Sequence, residues 1–233
     1  MAFHNNPRIV TDGLATYYDP AIAKSYTSGS PTVLTDILSN NNSTLVNGAA
    51  YSSEKNGCII MDGTNEYISL NSTVTMLSSG YSISAWINID DFTTAKTNKG
   101  RSFIRNSTIP FSSMIAFYNG GFSFETLTNS SPHEIANRTV GHITDSNITA
   151  GNWFYFTLVF DADVFYSYVN GVFKTSGALV NNLSFNRIGD ATGFSSAYPA
   201  YFKGKISNFK VYSRALSAEE VLKNYKVYKS RFN

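Results

Sequence analysis

The chain has 233 residues, with 18 Lys and Arg against 16 Asp and Glu, a formal net charge of +2 that is too small for an electrostatic nucleic-acid interface. Hydrophobic residues make up 42% and aromatic residues 15%, enough for a sizeable core, while charged residues are only 15%; Asn, Ser and Thr fill the polar positions and favour turns and strand edges over helices. One cysteine, Cys58, excludes an intrachain disulfide, no apolar run reaches the roughly 20 residues of a membrane span, and the first ten residues lack the apolar stretch of a secretory leader.

Residues 1–11 are polar and read as an N-terminal arm that orders on a partner, with Phe3, Ile9 and Val10 as its docking residues. Residues 12–233 read as a single domain. Leu14–Tyr18 is the first strand. Leu34–Leu38 leads into the polar turn cluster Ser39–Ser43, and Asn47-Gly48 marks another turn. Cys58–Met61 and Tyr67–Leu70 are strands joined by Asp62-Gly63-Thr64-Asn65. Tyr81–Ile89 alternates over its whole length: Ile83, Ala85, Ile87 and Ile89 share one face and Trp86 stands on the other, as period-two side chains require. Arg101–Asn106, Ser113–Tyr118 and Phe122–Thr126 follow, the last two joined as a hairpin through Asn119-Gly120-Gly121. Residues 129–147 read as a long loop with one strand near Ile135–Val140.

The stretch Gly151–Thr175 carries the clearest pattern. Phe154, Phe156, Leu158 and Phe160 face one way; Trp153, Tyr155, Thr157 and Val159 face the other. After Asp161-Ala162-Asp163 a second alternating run ends at Asn170-Gly171. That pair tolerates φ > 0 at both central positions of a type I′ turn and so predicts a tight hairpin between Phe165–Val169 and Val172–Thr175. Phe185–Gly189 is a short strand. Lys205–Tyr212 alternates with a slip between Ile206 and Phe209, which predicts a bulge. Ser217 and Glu220 form a capping box, with Leu216 and Val221 as its hydrophobic staple, and Leu222 and Tyr225 continue the apolar stripe of a short C-terminal helix. The predicted fold is therefore all-β, a two-sheet antiparallel sandwich closed by one helix.

Several of these segments together resemble the concanavalin A-like, laminin-G-type jelly roll: Gly151-Asn152-Trp153, the strand ending Val159-Phe160-Asp161, Tyr168 to Val172, Arg187-Ile188-Gly189, and Gly204-Lys205-Ile206 through to Glu220. Asp62 to Ile68, the Trp86 strand and the Asp36–Asn42 turn fit the same pattern, so the resemblance spans roughly residues 13–228. It implies two antiparallel sheets packed face to face. The opening Asp12-Gly13-Leu14 also resembles versions of this domain in virion proteins of tailed phages. That implies a non-catalytic structural protein of the virion, a decoration, neck or fibre-associated part, made without a leader and docked on other virion proteins, alone or as a homo-oligomer. Glu66 and Asn208 stand where members of the family often carry Asp, which weakens a calcium site by analogy.

Glycosidase chemistry needs two carboxylates about 5–5.5 Å apart in retaining enzymes. The six glutamates form no Glu-x-Asp-x-Glu pattern, no nucleophile elbow is present, and the His and Cys needed for zinc are not clustered; no enzyme is expected. No cofactor is expected beyond calcium, whose oxygen-ligand chemistry suits Asp36, Asn40, Asn42 and Asp62, residues that also close Asx-turns without a metal. The alternative function is a lectin-like module for host attachment. Its candidate sugar-binding aromatics are Tyr118, Phe194, Tyr198 and Tyr201. The basic C-terminal segment, with Lys226, Lys229 and Arg231, suits docking on an acidic protein surface as well as the negative end of the helix dipole. Neither nucleic acid nor membrane is an expected partner.

Overall fold

The alternating segments assemble, in a computed structural model describing residues 8–92, 101–107, 114–118, 121–125, 143–178, 182–191 and 201–233, into two antiparallel sheets. In chain order the strands are β1 (Leu14–Tyr18), β2 (Val33–Leu34), β3 (Ser43–Val46), β4 (Ala50–Ser52), β5 (Cys58–Asp62), β6 (Tyr67–Met76), β7 (Gly80–Ile89), β8 (Arg101–Arg105), β9 (Met114–Tyr118), β10 (Gly121–Glu125), β11 (Ile143–Thr144), β12 (Trp153–Asp161), β13 (Val164–Val169), β14 (Val172–Ala178), β15 (Leu183–Ile188) and β16 (Lys203–Tyr212), and helix α1 spans Ala218–Phe232. The first sheet runs β14-β13-β12-β7-β16-β5-β4, with β1 also paired to β16; the second runs β11-β10-β9-β8-β15-β6-β3-β2. The strand expected near Ile135–Val140 lies outside the described residues.

The faces divide as period two dictates. Phe154, Phe156, Leu158 and Phe160 of β12 and Ile83, Ala85, Ile87 and Ile89 of β7 enter the core between the sheets, where they meet Phe103, Phe117, Phe122 and Phe185 of the second sheet. Phe156 packs edge-on to Phe117 and Phe122, at 5.2 and 4.8 Å between ring centroids, a geometry that aromatic quadrupoles favour. Asn170 and Gly171 have φ of 53° and 76°, and Val169 pairs with Val172, so the type I′ hairpin forms. The bulge in β16 forms as well: its register with β7 shifts between Ser207 and Lys210, and Asn208 has φ 53°. Beyond the bulge β16 changes partner, pairing through Lys203–Ile206 with β5 and through Phe209–Tyr212 with β1.

The other face of the first sheet is apolar too, and α1 covers it. Trp86 stacks on Phe232 at 4.4 Å, and Tyr155, Trp153, Tyr225 and Tyr228 complete the cluster. The Ser217–Glu220 capping box is present, and Leu216 and Val221 are buried with Tyr212 and Val159. Val10 belongs to the same cluster and corrects its assignment to a free docking arm. It is only 7% exposed, its amide donates to Asn224 Oδ1 at 2.9 Å, and its carbonyl accepts from the Tyr212 hydroxyl at 3.1 Å. The main-chain groups just before β1 are thus satisfied by the last helix and the end of β16. Ile9 is half-buried beside it, and Phe3 lies outside the described residues.

Arg231 is likewise no docking residue. Its Nη1 pairs with Asp19 Oδ1 at 2.8 Å and its Nη2 donates to the Gly57 carbonyl and the Ser207 hydroxyl, tying the end of α1 to the sheet. Lys210 lies buried beside this pair. Its Nζ contacts the Asn208 side chain and faces the rings of Tyr228, Tyr17 and Tyr155 at 5.0, 5.1 and 5.8 Å. Burial pushes its ammonium down to about 7.

Candidate functional site

Because α1 seals the first sheet, the outer face of the second sheet is where polar side chains converge. Strand register places Thr44, Ser69, Arg187, Arg105 and Met114 in one row across β3, β6, β15, β8 and β9. Arg187 and Arg105 therefore stand directly opposite each other on neighbouring strands, where like charges repel. Asp190 sits between them: its Oδ2 lies 3.1 Å from Arg187 Nη1 and 3.6 Å from Arg105 Nη1. Burial lowers the Arg105 pKa, and neighbouring Arg187 lowers it further against the opposing pull of Asp190 and Tyr201.

The backbone that brings Asp190 back over its own strand turns at Gly189, with φ 86°, where a Cβ would come within 2.5 Å of Met61 Sδ. Only glycine fits there on both grounds. The Arg187 guanidinium lies 4.5 Å from the centroid of the Tyr67 ring, a cation–π stack, and its side chain keeps 24% of its surface exposed. Asn106 Nδ2 donates to Ser184 Oγ at 2.7 Å and the Ser107 amide donates to Asn186 Oδ1 at 2.9 Å, joining the end of β8 to β15. Tyr201 is held from the side, since Arg101 Nη1 donates to its carbonyl at 3.3 Å while Asp91 binds both Arg101 and Lys203, at 2.7 and 2.8 Å. The result is a buried carboxylate with two guanidiniums and two tyrosines close by.

Of the four candidate sugar-binding aromatics, the structure brings Tyr201 to this cluster. Tyr118 ends β9 on the same sheet, and Phe194 and Tyr198 lie outside the described residues. Arg105, Arg187, Asp190 and Tyr67 were not singled out by sequence reasoning. Their signal was present in Arg187-Ile188-Gly189-Asp190, a short strand with arginine on the face opposite Ile188 and an acid just past a glycine turn. Among the C-terminal docking candidates, Lys226 and Lys229 are exposed on α1.

The calcium candidates lie on two separate turns, where backbone amides and carbonyls engage them. Both Asp36 oxygens are taken up by backbone: Oδ1 accepts the amides of Tyr17 and Leu38 and Oδ2 those of Asn40 and Asn41, at 2.8–3.2 Å. Asn42 Oδ1 accepts the Asp36 amide and Asn40 Nδ2 donates to the Ala15 carbonyl. Asp62 is on another turn, where Thr64 donates its amide to both Asp62 and Glu66, at 2.8 and 3.1 Å. The hydrogen bonds from Thr64 hold the Asp62 carboxyl below its ordinary range. Among the described residues no group of three or more His, Cys, Asp or Glu is placed to hold a metal ion. The Asp62–Glu66 pair is also the near approach of two carboxylates in this part of the chain, and it serves to close a turn.

Fold and site together define a two-sheet jelly roll with a cluster of arginines, tyrosines and a buried aspartate on one outer face. The family described as the concanavalin A-like lectin/glucanases superfamily matches residues 62–222, and the chain belongs to that family. A search of the curated proteins finds no match. Among solved structures, domain 4 of a GH43 extracellular arabinanase from Geobacillus stearothermophilus, in complex with arabinotriose, superposes with a TM-score of 0.60 at 19% identity, over 91% of this chain and 98% of that one. The ligand binding domain of botulinum neurotoxin serotype D, in complex with N-acetylneuraminic acid, gives 0.65 at 14% identity over 92% of this chain and 51% of that one. A Trypanosoma rangeli sialidase mutant gives 0.64 at 12% identity over 97% and 34%. The chain thus spans about half of the neurotoxin domain and a third of the sialidase, and identities this low establish the shared fold.

Proposed function

We propose that the protein is a non-catalytic glycan-binding module. The observation that carries this reading is the outer face of the second sheet, where the Tyr67–Arg187 stack, Tyr201 and Asp190 combine aromatic surface with charged hydrogen-bonding groups. Such a mixture suits sugars, which present apolar C–H faces and hydroxyls together. Similarity to an arabinanase domain carrying arabinotriose and to a neurotoxin domain carrying N-acetylneuraminic acid supports it. Asp62 and Glu66, which approach each other at one turn, both accept the Thr64 amide, a role in closing the turn that fits a binding module. The test is a glycan array probed with the full chain, alongside a reducing-end assay on any glycan retained. Binding without release of reducing ends is expected; an array with no retained glycan refutes the reading, and release of reducing ends refutes its non-catalytic part.

Docking on other structural proteins, as in a phage particle, is the second reading. The observation favouring it is the β13–β14 hairpin, where Val172 and Phe173 are 56% and 51% exposed on an edge strand. Co-purification of the protein with particles, lost on Phe173→Ser, is the expected result.

A further inference from the structure

Resting on the glycan-binding reading, we infer that the saccharide recognised at this site is acidic, with its carboxylate held by Arg187. Two guanidiniums face each other at a register pair, and one carboxylate, Asp190, lies between them. Arg105 and Asp190 are buried, at 3% and 0% side-chain exposure, so they form the floor. Arg187 is the member that reaches solvent.

Among the described residues Arg187, the arginine of the pair that is open to solvent, also has donors left over. It spends Nη1 on Asp190 and one face of its guanidinium on Tyr67. A guanidinium presents five N–H donors in a planar fork, so the edge carrying Nε and Nη2 remains for a planar anion. A carboxylate fits that fork with two parallel hydrogen bonds, stronger than those a neutral hydroxyl makes. The Tyr67 ring fixes the plane of the fork before any ligand arrives, and Asp190 fixes its rotation. Less side-chain entropy is then lost on binding. An incoming anion also adds a counter-charge beside the two opposed arginines. Tyr201 borders the same cluster.

The experiment is calorimetric titration of the full chain with glucuronate, with glucose, and with acetate. Glucuronate is expected to bind about tenfold or more tightly than glucose, to weaken as salt rises, and to bind more tightly than acetate, because the ring contributes. Arg187→Gln is expected to lower glucuronate affinity to the level of glucose, and Arg187→Lys to recover only part of the loss, since an ammonium keeps the charge without the fork. Thermal unfolding of each variant shows whether it is folded, and the comparison of ligands on the unmodified chain stands without any variant. Equal binding of glucose and glucuronate overturns the inference while leaving the glycan-binding reading in place. So does a glucuronate preference that survives in folded Arg187→Gln. Acetate as tight as glucuronate shows a simple anion site and overturns it too. Failure of both glucose and glucuronate to bind overturns the inference, and the glycan array then decides the glycan-binding reading by itself.

Discussion

Deleting residues 1–10 is expected to destabilise the protein, because Val10 is part of its interior. Burying a valine side chain contributes about 1.5–3 kcal/mol. The deletion also strips Asn224 Oδ1 of its amide donor and the Tyr212 hydroxyl of its acceptor. A buried group left without its partner costs about 1–3 kcal/mol, although Tyr212 keeps its 3.0 Å bond from Asn224 Nδ2. Against these losses, Val10 no longer has to be ordered, which returns about 1–2 kcal/mol of backbone entropy. At this one residue the losses, about 2.5–6 kcal/mol together, exceed that gain, so the melting temperature should fall by several degrees, at about 2–4 °C per kcal/mol for a chain of this size. Circular dichroism melts of the full and truncated chains measure this directly. The cause is separable by a cycle with Asn224→Ala. That side chain accepts the Val10 amide, so the two changes together should cost less than their sum by about 0.5–3 kcal/mol. An unchanged melting temperature, or strict additivity, would refute the packing of this segment under α1.

Trp86→Ala should cost about 3–5 kcal/mol in chemical denaturation, since the ring is buried and stacked between sheet and helix; a loss below 1 kcal/mol would mean that α1 does not cover that face. Gly171→Val should lower the melting temperature for two reasons, the φ of 76° and a Cβ position 3.0 Å from Leu222 Cδ1 on α1, and an unchanged value would place the turn elsewhere. Between pH 7 and about 8.5 stability should rise with pH. Across that window the unfolded chain keeps a proton on Lys210 that the folded chain, with its buried ammonium at about 7, releases, so the unfolded state binds more protons and loses ground as pH rises. Above about 8.5 the buried Cys58 thiol, pushed up to about 11, works in the opposite direction. Lys210→Met should flatten the rise, and a slope that persists in that variant assigns it to another group. EDTA should leave the melting temperature of the unmodified chain unchanged, whereas Asp36→Ala should lower it with or without EDTA, because four backbone amides lose their acceptor; a fall caused by EDTA would overturn the Asx-turn assignment.

Local chemistry alone was enough for the elements. Period-two alternation separated the two faces of β7 and β12, Asn170-Gly171 specified a type I′ turn, the phase slip in Lys205–Tyr212 marked the bulge at Asn208, and Ser217 with Glu220 marked the start of α1. Each signal depends on residues within a few positions of one another. The extent of β6 was less legible. Its outer part pairs with β15 at Thr75↔Ser184 and Val74↔Phe185, but the register then shifts to Ser69↔Arg187; Asn71-Ser72-Thr73, which has the composition of a turn, falls in that irregularity, and the strand resumes beyond a stretch that reads locally as its end. What each face meets is set instead by packing between elements far apart in the chain. The outer faces of β7 and β12 read simply as a second side; it is α1, more than 60 residues further on, that turns Trp86 and Tyr155 into a second core. Val10 and Arg231 look like free termini in the sequence, yet their partners are Asn224 and Asp19, at the opposite end of the chain. The cluster of Tyr67, Arg105, Arg187 and Asp190 is of the same kind. Its members come from three strands and a turn, and strand register brings them to one spot. Register across distant strands depends on packing of the whole sandwich, so no local stretch of the sequence carries it.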